Sequence, residues 1–118
     1  MSELDDYLAT VSPEKRALIE HYYARVTALV PEAVPGRKYA MPCYVHRGKG
    51  LLSVMATKAG LSIIPFSGTV GRESAGDFEV SAGGGSLHCT PEHPFPDDAF
   101  DELVRRRVAE IEAPRSRS

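Results

Sequence analysis

The chain has 118 residues, 42% of them hydrophobic, and a formal net charge of -2 from 14 basic and 16 acidic side chains. This length and composition suffice for one hydrophobic core without obligatory disulfides or metals. A nearly balanced charge creates no field that attracts nucleic acid or acidic membranes, and no apolar run approaches the roughly 20 residues of a membrane-spanning helix. We therefore expect one domain over residues 1–113 and a frayed tail over 114–118. We expect a monomer or weak homodimer, with no nucleic-acid or membrane partner.

The cellular compartment follows from the N-terminus and the cysteines. The first residues, MSELDDYLATVSPEK, are acidic and lack the basic and apolar regions of a secretory signal. Cys43 and Cys89 are then expected to remain thiols, because cytoplasmic proteins rarely keep disulfides. The sequence predicts a cytoplasmic protein.

Apolar residues at helical spacing occur near both ends of the chain. Leu4, Tyr7 and Leu8 predict a short helix that Ser12-Pro13 interrupts, since proline cannot continue the preceding turn. Ser12 is expected to cap a second helix from Pro13 to about Val30, whose apolar stripe includes Tyr22, Tyr23 and Val26. A third helix is predicted after the proline-rich connector 91–96, with its apolar stripe formed by Phe100, Leu103, Val104, Val108 and Ile111.

Between these helices the periodicity shortens to that of strands. Alternation from Tyr39 to His46 predicts one strand, in which Pro42 favours an edge or a bulge. Residues 51–56 and 61–64 predict a central hairpin whose Gly60 needs positive φ. The glycine-rich stretch 67–85 is expected to be mostly loop with room for one short element, and 86–90 one more strand. The sequence thus predicts an α+β fold: an antiparallel sheet of about four strands, with two N-terminal helices and a C-terminal helix packed on one face.

The order of these segments also carries a resemblance. SPEKRALIEHYYARVTALVPEA, KYAMPCYVHRGKGLLSVMATKAGLSIIPF, SLHCTPEHPFPDD and LVRRRVAE follow one another in a pattern that resembles the YdhG-like family of small bacterial domains, from Leu4 to about Glu110. The most specific segments are Tyr39-Ala40-Met41-Pro42 and Lys49-Gly50-Leu51-Leu52. The resemblance implies a YdhG-like fold and a function that is largely unknown. One branch of the family is proposed to act as frataxin-like intracellular iron chaperones, which would imply iron as cargo and iron-cluster assembly proteins as partners.

Carboxylates at the start of the last helix are the candidate iron ligands. Iron ions accept carboxylate oxygens, and a chaperone needs weak, exchangeable coordination. Asp98, Asp101 and Glu102 share one helix face by their three and four spacing, and Asp97 precedes them. Glu3, Asp5 and Asp6 form a second acidic group. The alternative is that acids in a first turn only satisfy the helix dipole.

A different class of function is a module that binds a small ligand or a protein through a sheet face. Aromatic side chains such as Tyr39 and Tyr44 could line an apolar pocket, with Lys38 and His88 at its rim to orient an anionic ligand. The alternative is that the aromatic rings fill the space between sheet and helices.

The remaining cysteine and histidine residues give no catalytic signature. Adjacent strand residues point to opposite faces, so His88 and Cys89 are not expected to bind one ion. No nucleophile elbow or phosphate loop surrounds Cys43 or Cys89. We therefore expect no enzyme activity and no required cofactor apart from candidate iron. The sequence leaves open whether Cys43, His46, His88, Cys89 and His93 do anything beyond packing.

Overall fold

A computed structural model describes residues 3–113, which form four helices and six strands. The predicted tail at 114–118 lies outside the described residues. The helices are α1 (Glu3–Leu8), α2 (Pro13–Leu29), α3 (Gly68–Ser74) and α4 (Asp97–Glu112). The strands are β1 (Val34–Lys38), β2 (Met41–His46), β3 (Lys49–Ala56), β4 (Leu61–Ile64), β5 (Glu79–Val80) and β6 (Leu87–Cys89).

The strands form one antiparallel sheet in the order β1-β2-β3-β4-β6-β5. The β3–β4 hairpin lies in the middle of the sheet, and three of the four helices, α1, α2 and α4, lie towards the two ends of the chain, which confirms the predicted α+β class. Pro42 lies in β2 opposite Arg37 of β1, and the predicted bulge occurs nearby, between Tyr44 and Val45.

The sheet has two strands that the sequence analysis did not predict, β1 and β5. The reason why β1 was missed is clear. Tyr39 was predicted inside a strand, but Tyr39 and Ala40 form the turn between β1 and β2, with φ angles of 52° and 63°. Such a turn normally contains asparagine and glycine, because other side chains adopt positive φ at a cost. The sequence Tyr-Ala therefore gave no sign of a hairpin here.

The prediction that Gly60 needs positive φ was wrong. Its φ is not positive. Glycine is needed at this position because β6 passes close by: a Cβ atom added to Gly60 would lie 2.2 Å from the Cys89 carbonyl oxygen. A close approach of two backbones also requires glycine.

The glycine-rich segment contains helix α3 and the two-residue strand β5 between loops, and so holds one more short element than expected. Ser67 caps this helix, since its Oγ accepts a hydrogen bond from the Val70 amide at 3.2 Å. A Cβ atom on Gly71 would lie 1.7 Å from the Gly84 carbonyl oxygen. The glycines of α3 and of the following loop therefore allow the two segments to pack in direct backbone contact.

Helices α2 and α4 pack together against β3 and cover the hydrophobic core. The Tyr22 hydroxyl donates a hydrogen bond of 2.7 Å to the Phe95 carbonyl, and the Tyr22 ring stacks on Phe100 at 4.6 Å. Val26 is fully buried and Val108 partly buried against the same cluster. The apolar stripes of α2 and α4 therefore meet on one side of the sheet.

Candidate functional site: a groove lined by tyrosines

Strands β2 and β3 separate beyond the bulge, and tyrosine side chains fill the gap. The register of β2 with β3 ends at the pair Tyr44 and Leu52. Alternate residues of an antiparallel strand direct their backbone groups to the same side, so Val54 and Ala56 continue the β3 edge that faces β2. The Val54 amide donates to the Tyr23 hydroxyl at 2.8 Å, and the Ala56 amide donates to the Tyr7 hydroxyl at 2.7 Å. Hydroxyl groups from α1 and α2 thus satisfy the strand edge that β2 leaves.

A groove of about 600 Å³ opens next to this gap, between helices α1 and α2 and the β1–β2 hairpin. The Tyr23 and Tyr44 rings meet at a centroid distance of 5.2 Å and a tilt of 60°. Pro35 lies directly opposite Tyr44 in the sheet register, and both residues line the groove. The complete lining is Leu4, Asp5, Leu8, Glu20, Tyr23, Ala24, Thr27, Pro35 and Tyr44.

The charged side chains of the groove are carboxylates. Asp5 and Glu20 line it, and the lining contains no basic residue. Glu20 is exposed and forms no hydrogen bond or ion pair with any residue between 3 and 113. Burial raises the pKa of the Tyr44 hydroxyl, and the negative charge of Asp5 raises it further, so Tyr44 stays a neutral hydrogen-bond donor. An aromatic wall beside carboxylates favours a positively charged group.

The four residues predicted to bind a ligand do not share one cleft. Tyr44 lines the groove, whereas Tyr39 is 85% exposed at the β1–β2 turn and stacks on Phe66 at 6.1 Å. Lys38 ends β1, next to that turn. His88 lies on β6, which β3 and β4 separate from β2. Three of the four residues therefore lie on the β1–β2 hairpin, and the strand order places the fourth on β6, away from them.

The four predicted iron ligands lie at the start of α4 and mostly pair with basic side chains. Asp101 accepts two hydrogen bonds from Arg25, at 2.8 and 2.7 Å, and this contact lowers the pKa of the Asp101 carboxyl. Asp97 contacts His21 at 2.8 Å and Arg25 at 3.5 Å.

The other two carboxylates are more open. Glu102 is near Arg106, at 3.5 Å, and Asp98 is exposed. Between residues 3 and 113, no group of three or more His, Cys, Asp or Glu side chains is arranged to hold a metal ion.

The cysteine and histidine side chains have separate environments. Cys43 and Cys89 are free and buried, and burial raises the pKa of both thiols. His46 is buried with its Nε2 atom 2.7 Å from Glu112, and His93 stacks on Phe78 at 4.8 Å. Raised thiol pKa values keep both cysteines in the less nucleophilic form.

Two of the groove residues, Glu20 and Tyr23, were not recognised from the sequence as site residues. Glu20, Tyr23, Ala24 and Thr27 follow one another at spacings of three, one and three, which places them on one face of α2. This face of mixed polar and small residues, next to the apolar stripe of α2, was the sequence signal that could have identified the groove. Tyr23 was assigned only to the stripe.

Comparisons with known proteins support the fold. No protein-family model matches the chain, and no curated protein matches it. Among solved structures, the chain is similar to a protein of the DUF1801 family, YdhG from Bacillus subtilis, with a TM-score of 0.80 and 12% identity over 93% of this chain and 91% of that one. The chain therefore has the YdhG-like fold that the sequence predicted. None of the helices within 3–113 has the length and apolar character needed to cross a membrane.

Proposed function

We propose that this domain is a non-enzymatic binding module whose groove between α1, α2 and the β1–β2 hairpin takes a small ligand with an ammonium group and an apolar body. The observation that carries the proposal is the Tyr23–Tyr44 pair, which lies beside the unpaired carboxylate of Glu20 in the same groove. The ligand charge is opposite to the anionic ligand expected from the sequence, because no basic residue lines this groove.

The size and chemistry of the groove support this ligand class. A volume of about 600 Å³ lies within the usual range for small-molecule sites. A cation over a tyrosine face gains about 0.5–1 kcal/mol at an exposed site. Pro35, which is exposed, supplies apolar contact for the rest of the ligand.

Iron carriage is the alternative function, and it rests on the carboxylates of α4. Asp98 and Glu102 are exposed enough to reach an ion. Iron would have to compete with Arg25 for Asp101 and Asp97, however, which favours the groove as the primary site. The two buried free thiols are compatible with the reducing cytoplasm in which we place the protein.

Titration of ¹⁵N-labelled protein with n-hexylammonium, followed by amide chemical shifts, tests the proposal. We expect saturable shifts of Tyr23, Ala24, Thr27 and Tyr44, and no saturable shifts of these amides with n-hexanoate, which has the same chain length and the opposite charge. Absence of saturable shifts in the groove, or equal responses to both probes there, would contradict the proposal.

A pair of variants on one helix supplies the matched control. Glu20→Gln should weaken hexylammonium binding by about two- to fivefold, the size of an exposed ion pair. Glu14→Gln removes an exposed carboxylate of the same helix outside the groove and should leave the affinity unchanged.

A further inference from the structure

A second cleft, of about 490 Å³, lies near the opposite edge of the sheet from the groove. The β3–β4 turn forms one side of it, and strands β5 and β6 form the other. Gly60 allows this turn to approach the Cys89 carbonyl closely. The lining residues are Thr57, Lys58, Ala59, Gly60, Leu61, Glu79, His88, Cys89 and Thr90.

The sheet register holds the His88 imidazole in one orientation at this cleft. Ser62 lies directly opposite His88, and Glu79 lies opposite His88 on the other side, so the three side chains form a row on one face. The Ser62 Oγ atom is 3.1 Å from His88 Nδ1, and Ser62 is only 7% exposed. When the hydroxyl donates this hydrogen bond, the neutral ring carries its proton on Nε2.

In that tautomer the Nε2 atom of His88 is available as a donor. It has no hydrogen-bond partner in the stretch from residue 3 to residue 113, and His88 is only half-buried. Lys58, at the rim of the cleft, is exposed and makes no ion pair within the same stretch. Two donors, one of them cationic, thus border a lining that is otherwise largely apolar, in which Ala59 is exposed and Thr90 partly exposed.

We propose that this cleft is a second binding site, for a small carboxylate with a short apolar body. The carboxylate would accept a hydrogen bond from His88 Nε2 and pair with the Lys58 ammonium, while the apolar body contacts Ala59 and the methyl group of Thr90. Glu79 opposes the ligand charge at one side and limits the affinity. The site shares no residue with the groove of the proposed function, so a binding result at one site does not decide the proposal for the other.

The test is titration of the full chain with n-hexanoate, again followed by amide shifts. We expect saturable shifts of Leu61, His88 and Thr90, which n-hexylammonium should not produce. Lys58→Gln should weaken hexanoate binding by about two- to fivefold, and His88→Gln by about tenfold. Glu79→Gln should strengthen the binding, because it removes a repulsive charge.

A control variant and the exposure of two of the substituted residues make this test decisive. Lys49→Gln removes an exposed lysine outside the cleft and should have no effect on hexanoate affinity. Lys58 and Glu79 are exposed, so their variants should fold even if His88→Gln does not. Lack of saturable shifts at Leu61, His88 and Thr90, or equal weakening by Lys49→Gln and Lys58→Gln, would overturn the proposal.

Discussion

The Tyr23 hydroxyl forms two hydrogen bonds with one residue of the sheet: it accepts from the Val54 amide at 2.8 Å and donates to the Val54 carbonyl at 3.3 Å. It replaces the strand partner that β2 would have provided. Burial raises the pKa of Tyr23, so the group stays a neutral hydroxyl that can both donate and accept. The same side chain lines the groove, so Tyr23 contributes both to the hydrogen bonding of the strand edge and to the shape of the site.

Removal of the Tyr23 hydroxyl should destabilise the protein. Tyr23→Phe would leave the buried Val54 amide and carbonyl without this partner, and we expect the free energy of unfolding to fall by about 1–3 kcal/mol in urea denaturation. Tyr44→Phe is the matched control, since the Tyr44 hydroxyl bonds to no residue of the described chain, 3–113, and its effect should stay within about 0.5 kcal/mol. Equal losses for both variants would contradict the role of the hydrogen bonds.

A methyl group on Gly71 should disrupt the contact between α3 and the glycine-rich loop. The added Cβ atom would overlap the Gly84 carbonyl, and we expect Gly71→Ala to lower stability by about 1–3 kcal/mol. Gly83→Ala meets no atom within 4 Å and lies in the same loop as Gly84, so it should change the melting temperature little. A harmless Gly71→Ala substitution would show that the loop does not pack on the helix.

The Arg25–Asp101 contact should give stability a pH dependence of known sign. Because this contact lowers the folded-state pKa of Asp101 below its ordinary value of 3.8, its stabilisation is fully present above that value and is lost as the pH falls through the lower folded pKa. Wild type should therefore exceed Asp101→Asn in unfolding free energy most at pH 7, and the difference should shrink below about pH 4.

The matched control for this pH series is Asp98→Asn. Asp98 is exposed on the same helix and makes no close ion pair with any residue between 3 and 113, so its difference from wild type should be small throughout. A difference for Asp101→Asn that stays constant from pH 7 to pH 3 would contradict the assigned contact.

Anaerobic titration with ferrous iron separates the two functions. Since Arg25 occupies the Asp101 carboxylate, we expect stoichiometric iron to leave the amide signals of residues 97–102 without selective broadening. Broadening confined to Asp97, Asp98, Asp101 and Glu102 would favour iron carriage instead. Broadening confined to Glu3, Asp5 and Asp6, the second acidic group, would also favour iron carriage.

The parts of the fold that sequence could predict are those set by periodicity. The apolar stripe of α4, the start of α2 at Pro13 and the central β3–β4 hairpin each follow from local spacing, and the structure contains all three. Local sequence signals failed where a backbone segment that is distant in sequence determines which residue type fits. Glycine is required at Gly60 and Gly71 because other backbone segments pass close to them, and no sequence pattern near either position reveals this.

The site was only partly predictable for a related reason. Tyr44 was named as a ligand residue from its place on a sheet face, but its neighbours in the groove come from α1 and α2, which are distant in sequence. His88 was grouped with Tyr44 although three steps of the strand order separate β2 from β6. Strand order and helix placement are set by the packing of the whole chain, so a residue list from one sequence could not assemble either cleft.

The most direct test of the binding module is the location of bound n-hexylammonium by intermolecular nuclear Overhauser effects. The account predicts contacts from the alkyl protons of the ligand to the ring protons of Tyr23 and Tyr44, and their loss in Tyr44→Leu. Contacts only to the β3–β4 turn and β6, or a Tyr44→Leu protein that binds hexylammonium as tightly as wild type does, would contradict it.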